Sequence, residues 1–241
     1  KSSMKTNSDF FSGRRLLIVT KHQKEEVIAP LLEEALGVTC FVLKDFDTDS
    51  LGTFSGEIAR KDDALTTLRK KCLEGMQSEG FDLAIATEGS FGNHPTVFFA
   101  PANDELIMLV DQKNNLEIVE RVLSMDTNFD SSEIHTKEEL KAFLDKVQFP
   151  SHAVIMKNTA ENWTKIYKGI TDYDSVVKIY DEIVVSSNSC FIETDMRAMF
   201  NPTRIKIIKE VSLKLIKKAQ SVCPECLFPG YGVVGAEAGL L

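Results

Sequence analysis

The sequence predicts an α/β fold with a mixed, largely parallel sheet and flanking helices, and three features carry that expectation. Apolar runs alternate with amphipathic segments from Arg15 onward. The early apolar runs are continuous, as in strands buried on both faces, and do not alternate with polar residues. Polar, charged and glycine-bearing clusters follow these runs, where open α/β sheets bind their ligands.

The elements follow in order. "RLLIVT" (Arg15 to Thr20) is a strand, and "EEVIAPLLEEAL" (Glu25 to Leu36) a helix with an acidic first turn and Gly37 just past its end. "VTCFVLKDF" reads as a second strand, "DDALTTLRKKCLEGM" as a second helix and "DLAIAT" as a third strand. "TVFFA", "ELIMLVD" and "LEIVERVLS" read as consecutive strands, with a turn at Asp111 to Asn115. "KEELKAFLDKV" is a helix, "HAVIMKN" a strand and "DYDSVVKIYDEIV" a helix. The last helix, "NPTRIKIIKEVSLKLIKKAQ", takes Asn201 as N-cap, Pro202 at its first position and Lys217 and Lys218 in its last turn. Residues 1–13 read as a flexible leader, 14–220 as one α/β domain and 221–241 as a tail.

Composition narrows the function classes. With 28 Lys and Arg against 36 Asp and Glu, the net charge is −8. That balance argues against broad nucleic-acid or anionic-membrane binding, both of which need an excess of basic charge. No apolar stretch approaches the ~18–20 residues that span a bilayer. Five cysteines, an odd number with Cys40, Cys72 and Cys190 scattered, do not form a disulfide framework, and a cytoplasmic setting is expected.

The stretch "DLAIATEGSFGNHP" ends an apolar strand on Glu88, two glycines and a histidine. Three other polar clusters fall at comparable positions: "TKHQK" after the first strand, "DFDTDSLGTFSGEIARK" after the second and "ETDMRAMFNPTR" before the last helix. Each also has a plain structural reading. Thr20 can cap the first helix with Lys21 and Lys24 solvated, the segment from Asp45 to Lys61 can be a glycine-punctuated loop, and Glu88 with Gly89 and Gly92 can form a tight turn. Arg197 and Arg204 near a helix start oppose the macrodipole unless an anion is present.

Several motifs resemble known families. "LLIVTKHQKEEVIAPLLEEAL" resembles the first strand and helix of the inosine triphosphate pyrophosphatase superfamily, where Thr-Gly-Asn and a phosphate-binding lysine follow the strand; Lys24 falls on that lysine. "ALTTLRKKCLEGM" is similar to its second helix, which follows a loop with a metal-binding glutamate and so implies Glu57. "LAIATEGSFG" is similar to its Asp-Asp-Ser-Gly strand end, and closer to the Glu-Gly-Gly variant of the inosine/xanthosine triphosphatase branch. "FNPTRIKIIKEVSLKLI" is similar to its final Ser-His-Arg helix, with Arg204 on the arginine. This chain departs from the pattern at Lys21 and His22, which replace Gly and Asn, and at Glu88, which replaces paired aspartates. From Pro101 to Val185 no motif aligns. Across most of its length, through "GTFSGE", "EGSFGNHP", "ETDMRAMFNPTR" and "CPECLFPGYG", the chain resembles an uncharacterised bacterial family of unknown function.

The resemblance implies a metal-dependent nucleoside triphosphate pyrophosphatase-like hydrolase, with a non-catalytic nucleotide- or protein-binding module as the alternative. Mg²⁺ or Mn²⁺ would sit on Glu57 and Glu88, with Glu88 also catalytic, since such ions take one or two carboxylates plus phosphate oxygens. Lys24, Arg60 and Arg204 would hold the phosphates of a small nucleotide. Asp45, Asp47 and Asp49 are further candidate carboxylates. "CPEC" (Cys223 to Cys226) resembles half of a zinc ribbon, with two free thiols as the plain reading, and Zn²⁺ is expected only if the chain continues past Leu241 with a second cysteine pair.

Overall fold

The computed structural model describes residues 10–43 and 61–232, excepting the side chains of 61–63. The chain runs β1 (Arg15–Val19), α1 (Glu25–Leu36), β2 (Thr39–Val42), α2 (Lys61–Glu79), β3 (Leu83–Asn93), β4 (Pro101–Asp111) and β5 (Leu116–Ser124). It continues through β6 (Ser131–Ile134), α3 (Lys137–Lys146), β7 (Val154–Lys157), β8 (Ile166–Ile170), α4 (Tyr173–Ser187), β9 (Cys190–Thr194) and α5 (Pro202–Gln220).

The α/β class, a mixed sheet and flanking helices are as the sequence predicts. The first sheet has the order β2-β1-β3-β4-β5. Parallel pairing is confined to β2-β1-β3, where a crossover separates the strands, while β3-β4 and β4-β5 are antiparallel. A second sheet, β6-β9-β7-β8, is antiparallel throughout. Antiparallel pairing therefore predominates.

The central strands lack alternation because both faces are covered. Leu16, Ile18, Ile85, Ile107 and Leu109 pack with Ile28 and Leu32 of α1 and Ile208, Val211 and Leu215 of α5. Leu17, Val19, Ala84, Ala86 and Met108 pack on the other side against Leu68, Cys72 and Met76 of α2. Successive residues of β1 thus enter two separate cores. Helix α1 ends at Gly37, whose φ of 65° lets its N–H reach the Glu33 carbonyl.

Three readings change. "TVFFA" is not a strand: residues 94–100 form the connection between β3 and β4, closed by His94 Nδ1, which accepts from the N–H groups of Thr96 and Val97 at 3.2 and 3.1 Å. Phe98 and Phe99 are consequently exposed. Phe10 and Phe11 of the expected leader are packed, Phe11 in the α1–α5 core and Phe10 against Phe228, while Ser12 and Gly13 are exposed; residues 1–9 lie outside the described residues. The second sheet also gains β6, β8 and β9, three short strands the sequence does not announce.

The end of β9 leads into α5 through a buried polar joint. Asn201 accepts from the Arg204 N–H at 2.9 Å and donates through its side chain to Asn128 Oδ1 at 2.8 Å. Beside it, a ring nitrogen of His152 meets Thr203 Oγ1 at 2.8 Å. Asn201 is fully buried, so it serves as cap and as tie between the sheets. Asn201→Ala is expected to cost about 1–3 kcal/mol, combining a lost cap with an unpaired Asn128 Oδ1, measured by urea denaturation. The exposed cap Thr136→Ala should cost about 1 kcal/mol.

Candidate functional site

The turn after β1 delivers a cation into the protein. His22 and Gln23 both hold left-handed backbone, with φ of 65° and 61°. Non-glycine residues adopt that region at a cost of about 1–2 kcal/mol each. The strained turn brings Lys24 to the start of α1, which has no side-chain cap. Lys24 is 5% exposed. Its ammonium donates to Thr87 Oγ1 at 3.2 Å and lies 3.8 Å from Glu105 Oε2.

Glu105 is also held by Arg204. The Arg204 Nε donates to Glu105 Oε1 at 2.6 Å, its Nη1 to the Met196 carbonyl at 2.6 Å, and its guanidinium lies over the Phe91 ring. Capping by Asn201 fixes where this first turn of α5 begins. Sheet register completes the arrangement: Gly89 stands opposite Glu105. A Cβ on Gly89 would lie 2.6 and 2.7 Å from the two Glu105 oxygens and closer still to Arg204 Nη2. The glycine thus admits a protein ion pair.

Alternation along β3 separates Glu88 from this group. Thr87, Gly89 and Phe91 face the side of α1 and α5, whereas Glu88 shares its face with Ala84 and Ala86 and pairs with Lys71 of α2. Lys24 and Arg204 therefore meet, as the sequence suggested, and the Glu88 side chain lies across the sheet from them. Glu57, Arg60 and the Asp45, Asp47 and Asp49 group lie outside the described residues. Cys223 and Cys226 stand in the tail, remote in sequence from the strand ends.

Among the described residues, Lys24 and Arg204 share one carboxylate, that of Glu105. Burial comes first in pulling the Lys24 pKa down to about 8, followed by repulsion from Arg204, with Glu105 and Glu88 opposing. His22 is pushed down to about 4, first by the protein crowding its ring and then by Lys24, Arg204, Arg197 and Lys21. Its surface remains solvent-accessible, which screens part of that repulsion. Arg197 is bound to the fully buried Asp195 at 2.6 Å.

Sequence reasoning missed Glu105, Thr87 as Lys24's partner, and Asn103. Asn103 shares the Glu105 face and is 1% exposed; neither its amide atoms nor Glu105 Oε2 has a hydrogen-bond partner among the described residues. The readable signal was an acid opening the apolar run "ELIMLVD", the counterpart of Glu88 closing one. Nearby, a pocket of about 420 Å³ is lined by Asn93, Phe99, Pro101, Asn128, Phe129 and Lys146, among others. Phe129 packs against Phe91 and so connects the pocket to the Arg204 clamp.

The described carboxylates at this edge are engaged by cations of the protein itself. Glu105 is taken by two cations and Glu88 by Lys71, and among the described residues no group of three or more His, Cys, Asp or Glu could hold a metal ion. What the arrangement can do is attract an anion, because two buried cations share one buried carboxylate.

Comparison with known proteins agrees on the family. The family model described as Domain of unknown function (DUF6671) matches residues 71–241, more than half of the chain, and the chain belongs to that family. No curated protein matches it. The crystal structure of protein VC0702 from Vibrio cholerae is similar, at 7% identity and a TM-score of 0.42, covering 85% of this chain and 93% of that one. No helix among the described residues is long and apolar enough to cross a membrane.

Two outcomes follow for this edge. Gly89→Ala must displace the Arg204–Glu105 pair and is expected to cost about 1–3 kcal/mol in denaturant unfolding. By NMR, the His22 ring should titrate with a midpoint near 4. The folded-state value lies below the unfolded one, so His22 stabilises the fold above about pH 6.5 and loses that contribution as pH falls towards 4.

Proposed function

We propose that this chain binds a phosphate-bearing nucleotide where Lys24 and Arg204 meet, and that it acts as a nucleoside triphosphate pyrophosphatase-like hydrolase. One observation carries the binding: two buried cations share the single carboxylate of Glu105 beside an uncapped helix start. Helix N-termini and fixed cations favour phosphate oxygens. Lys24, with its pKa near 8, is mostly protonated at neutral pH and gains further hold on its proton when an anion arrives. The adjoining pocket is of a size that takes a small organic ligand.

The hydrolase step rests on the resemblance of the strand ends and last helix to the inosine triphosphate pyrophosphatases. Its carboxylates would come from the segment containing Asp45, Asp47, Asp49 and Glu57, where Mg²⁺ or Mn²⁺ and Arg60 also belong in that reading. A non-catalytic nucleotide-binding module on the same fold is the second reading, favoured by the engagement of Glu88 with Lys71 and of Glu105 with both cations. Five free thiols, two of them buried in separate cores, support a cytoplasmic setting.

The test is a nucleotide screen for pyrophosphate release with Mg²⁺ or Mn²⁺, run beside direct binding of inorganic pyrophosphate. Lys24→Met should weaken binding by at least about tenfold, the loss of one charge-assisted contact. Binding by Lys24→Met equal to wild type would remove the proposed site. Binding without turnover would leave the module reading. Glu88→Gln is expected to keep turnover near normal while lowering stability by about 1–3 kcal/mol, because Lys71 loses its counter-charge. A folded Glu88→Gln with turnover reduced by about 100-fold would instead make Glu88 catalytic.

A further inference from the structure

Three features stand in line along one face of the β3–β4 ladder. Gly89 and Glu105 carry the clamp, Phe91 and Asn103 form the next pair outward, and Asn93 with Pro101, the last pair, lines the pocket of about 420 Å³. Residues two apart on a strand are separated by about 7 Å, so clamp, Asn103 and pocket follow one another at that spacing. Side chains connect them. Arg204 Cζ lies 4.8 Å from the centre of the Phe91 ring, and Phe129, which lines the pocket, packs on Phe91 with centroids 5.8 Å apart.

Asn103, in the middle, stands apart from its polar neighbours. It is 1% exposed, and neither Nδ2 nor Oδ1 has a hydrogen-bond partner among the described residues. Asn128, by contrast, donates to the Val147 carbonyl at 2.9 Å and accepts from Asn201 at 2.8 Å. Ser124, opposite Asn103 on β5, accepts from the Asp126 N–H at 3.0 Å. Leaving a buried amide unbonded is costly, and native proteins seldom do so without a use for the group. Here the unbonded amide lies between a pair of cations and a pocket.

We infer that Asn103 holds the sugar of the ligand, its Nδ2 donating to one hydroxyl of a cis-diol and its Oδ1 accepting from the other, with phosphate on Lys24 and Arg204 and the base in the pocket. This rests on the nucleotide reading above and adds to it a preference for ribose over 2-deoxyribose. Hydroxyls both donate and accept, so two adjacent ones match an amide edge in full, whereas a deoxy sugar leaves one amide atom unpaired. The position also suits a sugar, because a step of about 7 Å from the clamp reaches the group esterified to a phosphate and stops short of the base beyond it. Asn103 is enclosed, so a side chain must turn aside to admit the ligand. Phe129, with the pocket on one side and Phe91 on the other, is the one placed to do so.

The probes are ribose 5-phosphate, 2-deoxyribose 5-phosphate and inorganic pyrophosphate, each titrated into the full chain and followed by NMR. Ribose 5-phosphate should bind at least about tenfold more tightly than its deoxy counterpart, the effect of one unmade hydrogen bond to a buried group. Asn103→Leu, close in volume and without polar atoms, should abolish that preference, leave pyrophosphate binding unchanged and keep the midpoint of thermal unfolding at or above the wild-type value, since no hydrogen bond within the protein is lost. Pyrophosphate bound with the two sugars held equally, or with neither held, would overturn the role of Asn103 and leave the clamp as an anion site. Failure of all three to bind would overturn the clamp as well. An Asn103→Leu variant that retains the preference would also overturn the assignment, and the comparison of the two sugars on the wild-type chain decides the matter even where that variant does not fold.

Discussion

Two cations cannot be taken out of water side by side without an anion between them, and at the end of the first sheet that anion is Glu105. Its carboxylate receives Arg204 from α5 and faces Lys24 from the turn after β1. Several local features serve this one contact. Gly89 gives up a side chain so that the pair can lie against the sheet, Asn201 sets the first turn of α5 so that Arg204 reaches it, and His22 and Gln23 accept unfavourable backbone to bring Lys24 in. Removing the Glu105 charge would leave two buried cations uncompensated, a loss of several kcal/mol in comparable pairs.

The opposite face of the same strands repeats the problem at a smaller scale. Lys71 of α2 is buried and answered by Glu88. The two pairs sit on either side of β3, and each cation still feels the other, since Lys71 lowers and Glu88 raises the proton affinity of Lys24. Among the described residues, Lys24 and Arg204 thus share Glu105 on the α1–α5 side, and Lys71 has Glu88 on the other.

What could be read from the sequence follows from what local pattern encodes. Lys24 and Arg204 were legible because the turn after a buried strand and the first turn of a capped helix are recognisable positions. Glu88 was legible as a strand-end residue, but its face was not. Side-chain direction reverses with each residue, and a strand buried on both sides shows no alternation from which to read parity. Glu105 was hidden for a related reason: its importance comes from standing opposite Gly89, and register is a property of two strands. The parallel half of the first sheet was visible in the helices that separate its strands. The second sheet was not, because "SSEI", "IYKGI" and "CFIET" are short and half polar, and pairing makes them strands.

The spacing of the clamp along the chain has a thermodynamic meaning. Arg204 and Glu105 are 99 residues apart, and Lys24 lies near the other end of the described chain. No local fragment contains all three, so an unfolded chain offers an anion nothing to hold. Whatever binds there draws its entire affinity from the native state and returns it as global stability: at a concentration of 100 times its dissociation constant, the ligand adds about 2.7 kcal/mol. The melting temperature of the whole molecule would thus report any anion that binds there, even where no reaction follows.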